Sequence, residues 1–247
     1  MTVGTLIVIA LTVVFTSFLS GVFGMAGGMI LLGVLLLFLD VIPAMVLFST
    51  IQLASNGWRV MMWRKHIRWR IFFLYVGGAA VAFFVMRWIA FVPDKATVYI
   101  ALGLLPFMVE LLPVKARPNI EWRGVPVLTG FLTTIIQLLV GVGGLFLDIF
   151  FQKSMLDRKT TVATKAATQT FGHLLRGAYF GSFLTFSEAV PVAVFGPIVV
   201  LAILGASLAP FVRERLTDQG FRVWTRRVIF AVAITYLLRG AWLLMHA

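Results

Sequence analysis

Apolar residues run along this chain in blocks of membrane-spanning length, separated by short polar links. Ten blocks are legible, at 3–23, 25–39, 41–62, 71–92, 96–114, 125–140, 143–152, 159–181, 188–210 and 224–245. A helix that crosses a bilayer needs about 20 apolar residues, so the pattern predicts an all-α polytopic membrane protein. The second, sixth and seventh blocks are short for a full crossing. Short, glycine-interrupted blocks predict broken or re-entrant helices, which are tolerated only where protein or a cavity surrounds the freed backbone groups. The first block lacks a basic leader, and its apolar stretch continues past any cleavage point. An intact first span is therefore expected rather than a signal peptide.

The polar positions carry the next layer. Link three holds Arg59, Arg64, Lys65, Arg68 and Arg70; link five holds Lys115, Arg117 and Arg123. Link seven holds Lys153, Arg158 and Lys159, and link nine holds Arg213, Arg215 and Arg222. The even links are nearly bare, with Asp40 in the second, Arg87 and Lys95 in the fourth, and Arg176 at the edge of the eighth. Lys and Arg collect in cytoplasmic loops, so the odd links are expected inside and both termini outside, in the periplasm. The same rule accounts for the formal net charge of +12 without a nucleic-acid partner.

Two stretches in different halves match. Gly24-Met-Ala-Gly-Gly28 corresponds to Val140-Gly-Val-Gly-Gly144, and further on Gln52, Asn56 and Arg59 correspond to Gln169, His173 and Arg176. Matches in the same order at nearly one offset indicate duplication. Five blocks per half is an odd number, so the second copy enters from the opposite side. The charges agree: link three is basic while its counterpart, link eight, is poor, and links four and nine show the reverse. The expected organisation is a first repeat at 1–114, a cytoplasmic linker at 115–124 and an inverted second repeat at 125–247. Inverted repeats are a common transporter design, with a substrate site between them near the midplane.

Composition narrows the chemistry. Of the 247 residues, 61% are hydrophobic and only 12% charged, and the mean hydropathy is +1.02. That leaves room for about ten crossings and no soluble domain. With no cysteine, disulfides and thiolate metal sites are excluded, and His66, His173 and His246 are too far apart for an expected zinc site, so no cofactor is expected.

The candidate site follows from the repeat. Gly27, Gly28, Gly143 and Gly144 fit either close helix packing or an anion site, in which helix N-termini present unpaired N–H groups and no side chain intervenes. Gln52 and Asn56 lie one turn apart on one face, as do Gln169 and His173, with Ser49 and Thr168 as added hydroxyl donors. Such polar residues either bond a neighbouring helix or line a shared cavity. Lys165, a turn before Gln169, either attracts an anion or pairs with Asp148 in the preceding block. Arg176 either completes the anion site or snorkels to the outer interface. His173 is either a proton carrier or a structural histidine.

Ser20-Gly-Val-Phe-Gly-Met-Ala-Gly-Gly-Met29 resembles the glycine-rich signature of the sulfite exporter TauE/SafE family, and Leu139-Val-Gly-Val-Gly-Gly-Leu145 repeats a weaker form. The family's fuller form carries a third consecutive glycine, where Met29 and Leu145 stand here. The resemblance implies an inner-membrane permease for small sulfur-containing anions such as sulfite, thiosulfate, sulfoacetate or other organosulfonates. It also implies a secondary carrier linked to the proton gradient. The rival readings are an anion channel and an intramembrane enzyme acting on lipid phosphate. Such an enzyme gathers several acids at one depth, whereas the nine acids here are scattered.

Overall fold

The structure, a computed structural model, describes residues 2–23, 26–184, 190–213 and 218–246. Gly24, Arg215 and the expected start of the ninth block at 188 lie outside the described residues. Among the described residues ten α-helices follow in order: α1 (Val3–Phe23), α2 (Ala26–Phe38), α3 (Val41–Trp63), α4 (Trp69–Ile89), α5 (Lys95–Leu111), α6 (Val125–Val140), α7 (Gly144–Phe151), α8 (Arg158–Gly181), α9 (Val192–Arg213) and α10 (Asp218–Met245). Two of the helices begin where the sequence supplies capping chemistry. The Asp94 carboxylate accepts from Thr97 N at 2.8 Å ahead of α5, and the Asp157 carboxylate accepts from Lys159 N and Thr160 N ahead of α8.

Among the described residues, α1, α4, α9 and α10 each contain a stretch long and apolar enough to cross a membrane. At 1.5 Å per residue, the 13-residue α2 is roughly 20 Å long and the eight-residue α7 roughly 12 Å, short of a hydrocarbon layer of about 30 Å. The expected short blocks are short helices. Gly141 ends α6 with a φ of 87°, a left-handed conformation that a β-carbon disfavours, and the chain turns there into α7.

The helix contacts obey an exchange rule. Swapping α1–α5 with α6–α10 maps the α1–α9 pair onto α4–α6 and the α3–α9 pair onto α4–α8, while α3–α8 and α5–α10 map onto themselves. The self-paired helices run antiparallel. Arg176 Nε donates to Ser49 Oγ at 2.8 Å, while at the other end of the contact Gly57 faces Thr170. Along α5 and α10, Tyr99 packs tilted against Tyr236 (5.5 Å between centroids) and Phe107 edge-on against Phe230 (4.9 Å). Equivalent helices pointing opposite ways are what an inverted duplication produces, whereas a parallel repeat would leave them parallel.

Lipid is as apolar as leucine, so helices in a bilayer associate through close contact and not through the hydrophobic effect. Accordingly α4 and α6 cross where Gly78 meets the Val127 carbonyl and Gly130 meets the Tyr75 carbonyl. The link after α5 is stapled to the end of α7. Arg117 donates to the Leu112 and Val109 carbonyls (3.0 and 3.2 Å) and to Gln152 Oε1, and Ile120 N donates to the Phe150 carbonyl at 2.8 Å.

Candidate functional site

The two most polar interior helices meet at the pseudo-symmetry axis. Along α8, Thr160, Thr164, Thr168, His173 and Arg176 are buried, and along α3 so are Ser49, Gln52, Ser55 and Asn56. On α3 these spacings fall on one face, whereas on α8 they wind around the helix, Thr164 meeting Arg68 N and Arg176 meeting Ser49. Polar side chains cannot face acyl chains without cost, so both sets are buried among helices, and they meet where Arg176 reaches Ser49.

Arg176 lies on this contact, at its Ser49 end, and is fully buried. Its Nε donates to Ser49 Oγ, its Nη1 donates to the Gly141 carbonyl, and the guanidinium sits 4.1 Å over the Phe48 ring. Among the described residues no carboxylate pairs with it, and Nη2 has no hydrogen-bond partner. The alternative in which Arg176 snorkels to the interface is therefore corrected: its head group points into protein. The reason is local, because Gly141 ends α6 with a buried carbonyl free to accept from the guanidinium.

The glycine elements converge on the same place. A β-carbon on Gly28 would sit 2.7 Å from Gln52 Nε2, and one on Gly172 would sit 2.6 Å from Gln137 Oε1. The Gln137 amide lies 3.1 Å from His173 Nδ1. An amide nitrogen only donates, so this contact leaves Nδ1 as the acceptor and the other ring nitrogen as the carrier of the proton in neutral His173. Gly143 precedes α7 and rests against Thr133 and Gln137, and Gly144 opens the helix. The anion-site alternative expects both glycine pairs at helix starts. The first-half helix starts at Ala26, so Gly27 and Gly28 occupy its first turn instead of preceding it. Gly27 abuts the Thr16 carbonyl and Ser20 of α1, which makes it a packing glycine, while Gly28 faces the Gln52 amide.

The remaining candidates fall elsewhere on the same two helices. Lys165 forms an ion pair with Asp148 of α7, the second of its two expected roles. It stands 11 residues before Arg176, roughly 16 Å along α8, so its charge serves a different level of the helix. Thr168 Oγ1 donates to the Lys165 carbonyl of its own helix at 2.9 Å, and Gln169 is half-buried. Asn56 donates to the Gln52 carbonyl at 3.0 Å and accepts from Arg59 Nη1 at 3.1 Å, so it holds the arginine equivalent to Arg176.

Sequence reasoning missed Phe48, Gln137, Thr133 and Ser20. The repeat offset, carried upstream, would have found three of them: Thr16-Ser17-x2-Ser20 aligns with Thr133-Thr134-x2-Gln137. Ser17, Ser20 and Thr133 keep buried hydroxyls without hydrogen-bond partners among the described residues. The contact therefore holds a buried cation, with no carboxylate beside it among the described residues, bonded to Ser49 of the first half and the Gly141 carbonyl of the second. It is chemistry suited to holding an anion, and Asp148, the acid within α7, is committed to Lys165.

A family model described as Sulfite exporter TauE/SafE matches residues 9–236, nearly the whole chain. No curated protein and no solved structure matches it.

Proposed function

The chain belongs to the sulfite exporter TauE/SafE family, and from that membership we propose a secondary carrier that moves a small sulfur-containing anion across the bacterial inner membrane by alternating access, coupled to protons. The substrate class is sulfite, thiosulfate, sulfoacetate or a related organosulfonate. The repeats 1–114 and 125–247, joined by a cytoplasmic linker, would rock about the α3–α8 contact with both termini in the periplasm. Family membership supports the membrane-transporter level of this reading. One observation carries the anion: Arg176 is buried between the halves, and among the described residues no carboxylate pairs with it.

The roles follow from side-chain chemistry. Arg176 Nη2 supplies the charge-assisted contact, which is stronger than a neutral hydrogen bond. Gln52, Gln137 and the Ser20 and Thr133 hydroxyls supply neutral donors that fit the several oxygens of a sulfonate. Gly28, Gly143 and Gly144 keep side chains out of the way of helix N-terminal N–H groups. His173, held by Gln137, is the proton carrier in this scheme.

Flux into proteoliposomes tests the proposal. Labelled sulfite, thiosulfate and sulfoacetate are offered with and without a pH gradient, against acetate and succinate as controls. Accelerated uptake of one sulfur anion under an imposed gradient, together with trans-stimulated exchange, supports the carrier. Gradient-independent conduction without exchange identifies a channel, and preference for carboxylates overturns the substrate class.

A further inference from the structure

A second site lies away from α3 and α8. Helices α4 and α6 begin side by side, and between their starts and the link before α6 there is a cavity of about 500 Å³. Arg68, Arg70 and Arg123 stand at its lining together with Trp122, and Leu74 and Val127 form part of its apolar wall. All three arginines are exposed, and among the described residues none pairs with a carboxylate. Glu121, the acid in the lining, has an oxygen committed to Met155 N at 2.7 Å.

The frame of this cavity is fixed by its own bonds. Arg68 N donates to Thr164 Oγ1 at 3.0 Å, Ile120 N donates to the Phe150 carbonyl at 2.8 Å, and Val125 N donates to the Trp122 carbonyl at 3.2 Å. The close crossing of Gly78 and Gly130 holds the two helices together one or two turns further in. We propose that this cavity is a binding site for an anionic phospholipid, whose phosphate is held by Arg68, Arg70 and Arg123 and whose acyl chain lies along Leu74 and Val127.

Two physical facts select a lipid over a free phosphate. The lining joins guanidinium groups to an apolar wall, which matches a molecule with a charged head and a hydrocarbon tail. The apolar wall is open: Leu74 and Val127 are each 39% exposed, on helices flanked by lipid-facing side chains such as Phe73. The arginine-rich end is the cytoplasmic one by the positive-inside rule, where anionic lipid headgroups attract basic residues. Trp122, 55% exposed at the same level, suits the headgroup region.

Native mass spectrometry and thermal shift of the purified full chain test this, with dioleoyl phosphatidylglycerol, dioleoyl phosphatidylcholine and sn-glycerol 3-phosphate as probes. Phosphatidylglycerol alone should bind and stabilise. In the Arg68→Gln/Arg70→Gln/Arg123→Gln variant its affinity should fall by about two orders of magnitude, each arginine contributing roughly a factor of five. The lipid-free melting temperature should hold, because among the described residues the three guanidinium groups pair with no carboxylate. Leu74→Trp, which fills the apolar wall and leaves the charge intact, should also weaken the lipid. Equal binding of the two lipids, or unchanged binding in both variants, overturns the site. So does an equal loss in Arg64→Gln/Lys65→Gln, which alters charge outside the cavity. Stabilisation by glycerol phosphate as strong as by the lipid reassigns the cavity to a soluble phosphate and overturns the lipid assignment. Transport of sulfur anions plays no part in these readouts, so this inference stands or falls apart from the carrier reading.

Discussion

Replacing Arg176 by glutamine separates a binding arginine from a structural one through opposite signs in two measurements. A guanidinium and an anion 4 Å apart attract by about 4 kcal/mol at an effective dielectric of 20. The anion's lost hydration takes part of that back, and hydrogen bonds to a charged group net about 1.5–3 kcal/mol. At 1.4 kcal/mol per decade, the dissociation constant for the transported anion should rise about 10- to 150-fold. Stability without ligand should move the other way. A buried charge costs several kcal/mol to desolvate, and here Ser49, the Gly141 carbonyl and the Phe48 ring are what offset it. In Arg176→Gln the new side chain keeps an amide for those acceptors and sheds the charge, so the ligand-free melting temperature should hold or rise. Calorimetry with sulfite or a C2 sulfonate reads the first quantity, and thermal unfolding in detergent reads the second. A variant that binds the anion as tightly as wild type while melting several degrees lower would make Arg176 a structural strut and refute the argument.

Three further outcomes follow from other parts of the molecule. Lys165→Gln or Asp148→Asn alone should destabilise by roughly 1–3 kcal/mol by stranding the partner, and the double variant should recover much of the loss in a double-mutant cycle of thermal stabilities. Gly27→Ala should impair folding yield more than Gly28→Ala, because the new methyl group would strike the rigid Thr16 carbonyl in one case and the movable Gln52 amide in the other, as size-exclusion profiles would record. The Asp94 carboxyl is held below its ordinary range by the Thr97 backbone N–H, then by the Thr97 hydroxyl. A lowered folded-state pKa contributes stability that is present above the unfolded value of about 3.9 and is lost as pH falls through the folded one. Melting temperature should therefore drop on acidification below about pH 4, and Asp94→Asn, which still caps the helix but cannot ionise, should show a shallower drop.

The ten helices were legible because membrane-spanning apolar blocks and their glycine, proline and aspartate boundaries are local features. The inversion was legible because it needs only an odd count and a charge pattern. The site was legible in part. The repeat singled out Gln52, His173 and Arg176, which the fold brings to one contact. The choice between a free and a paired Lys165 was not legible, because it depends on how far α7 reaches back toward α8. Nor was the fate of Arg176, since snorkelling or burial is decided by where the Gly141 carbonyl comes to rest. Phe48 carried no polar signal at all; its part is to offer a ring face, which only the three-dimensional contact reveals.

The two halves share a frame and differ in furniture. At the repeat offsets, Phe48 and Leu32 stand where the second half has Lys165 and Asp148, Ser20 stands where it has Gln137, and Asn56 where it has His173. In a carrier made of identical inverted halves, the inward-facing and outward-facing forms would be related by a two-fold rotation and equal in energy. Each of these mismatches lifts that degeneracy. In the proposed carrier, the Lys165–Asp148 pair stiffens α7 against α8 in one half only, so a bend between these two helices would strain an ion pair while the equivalent bend in the other half would not. A gap of about 1.4 kcal/mol already sets a tenfold preference between the two forms. The unloaded protein would thus wait with one chosen side open, and the ion pair, far from the anion, would set which side that is.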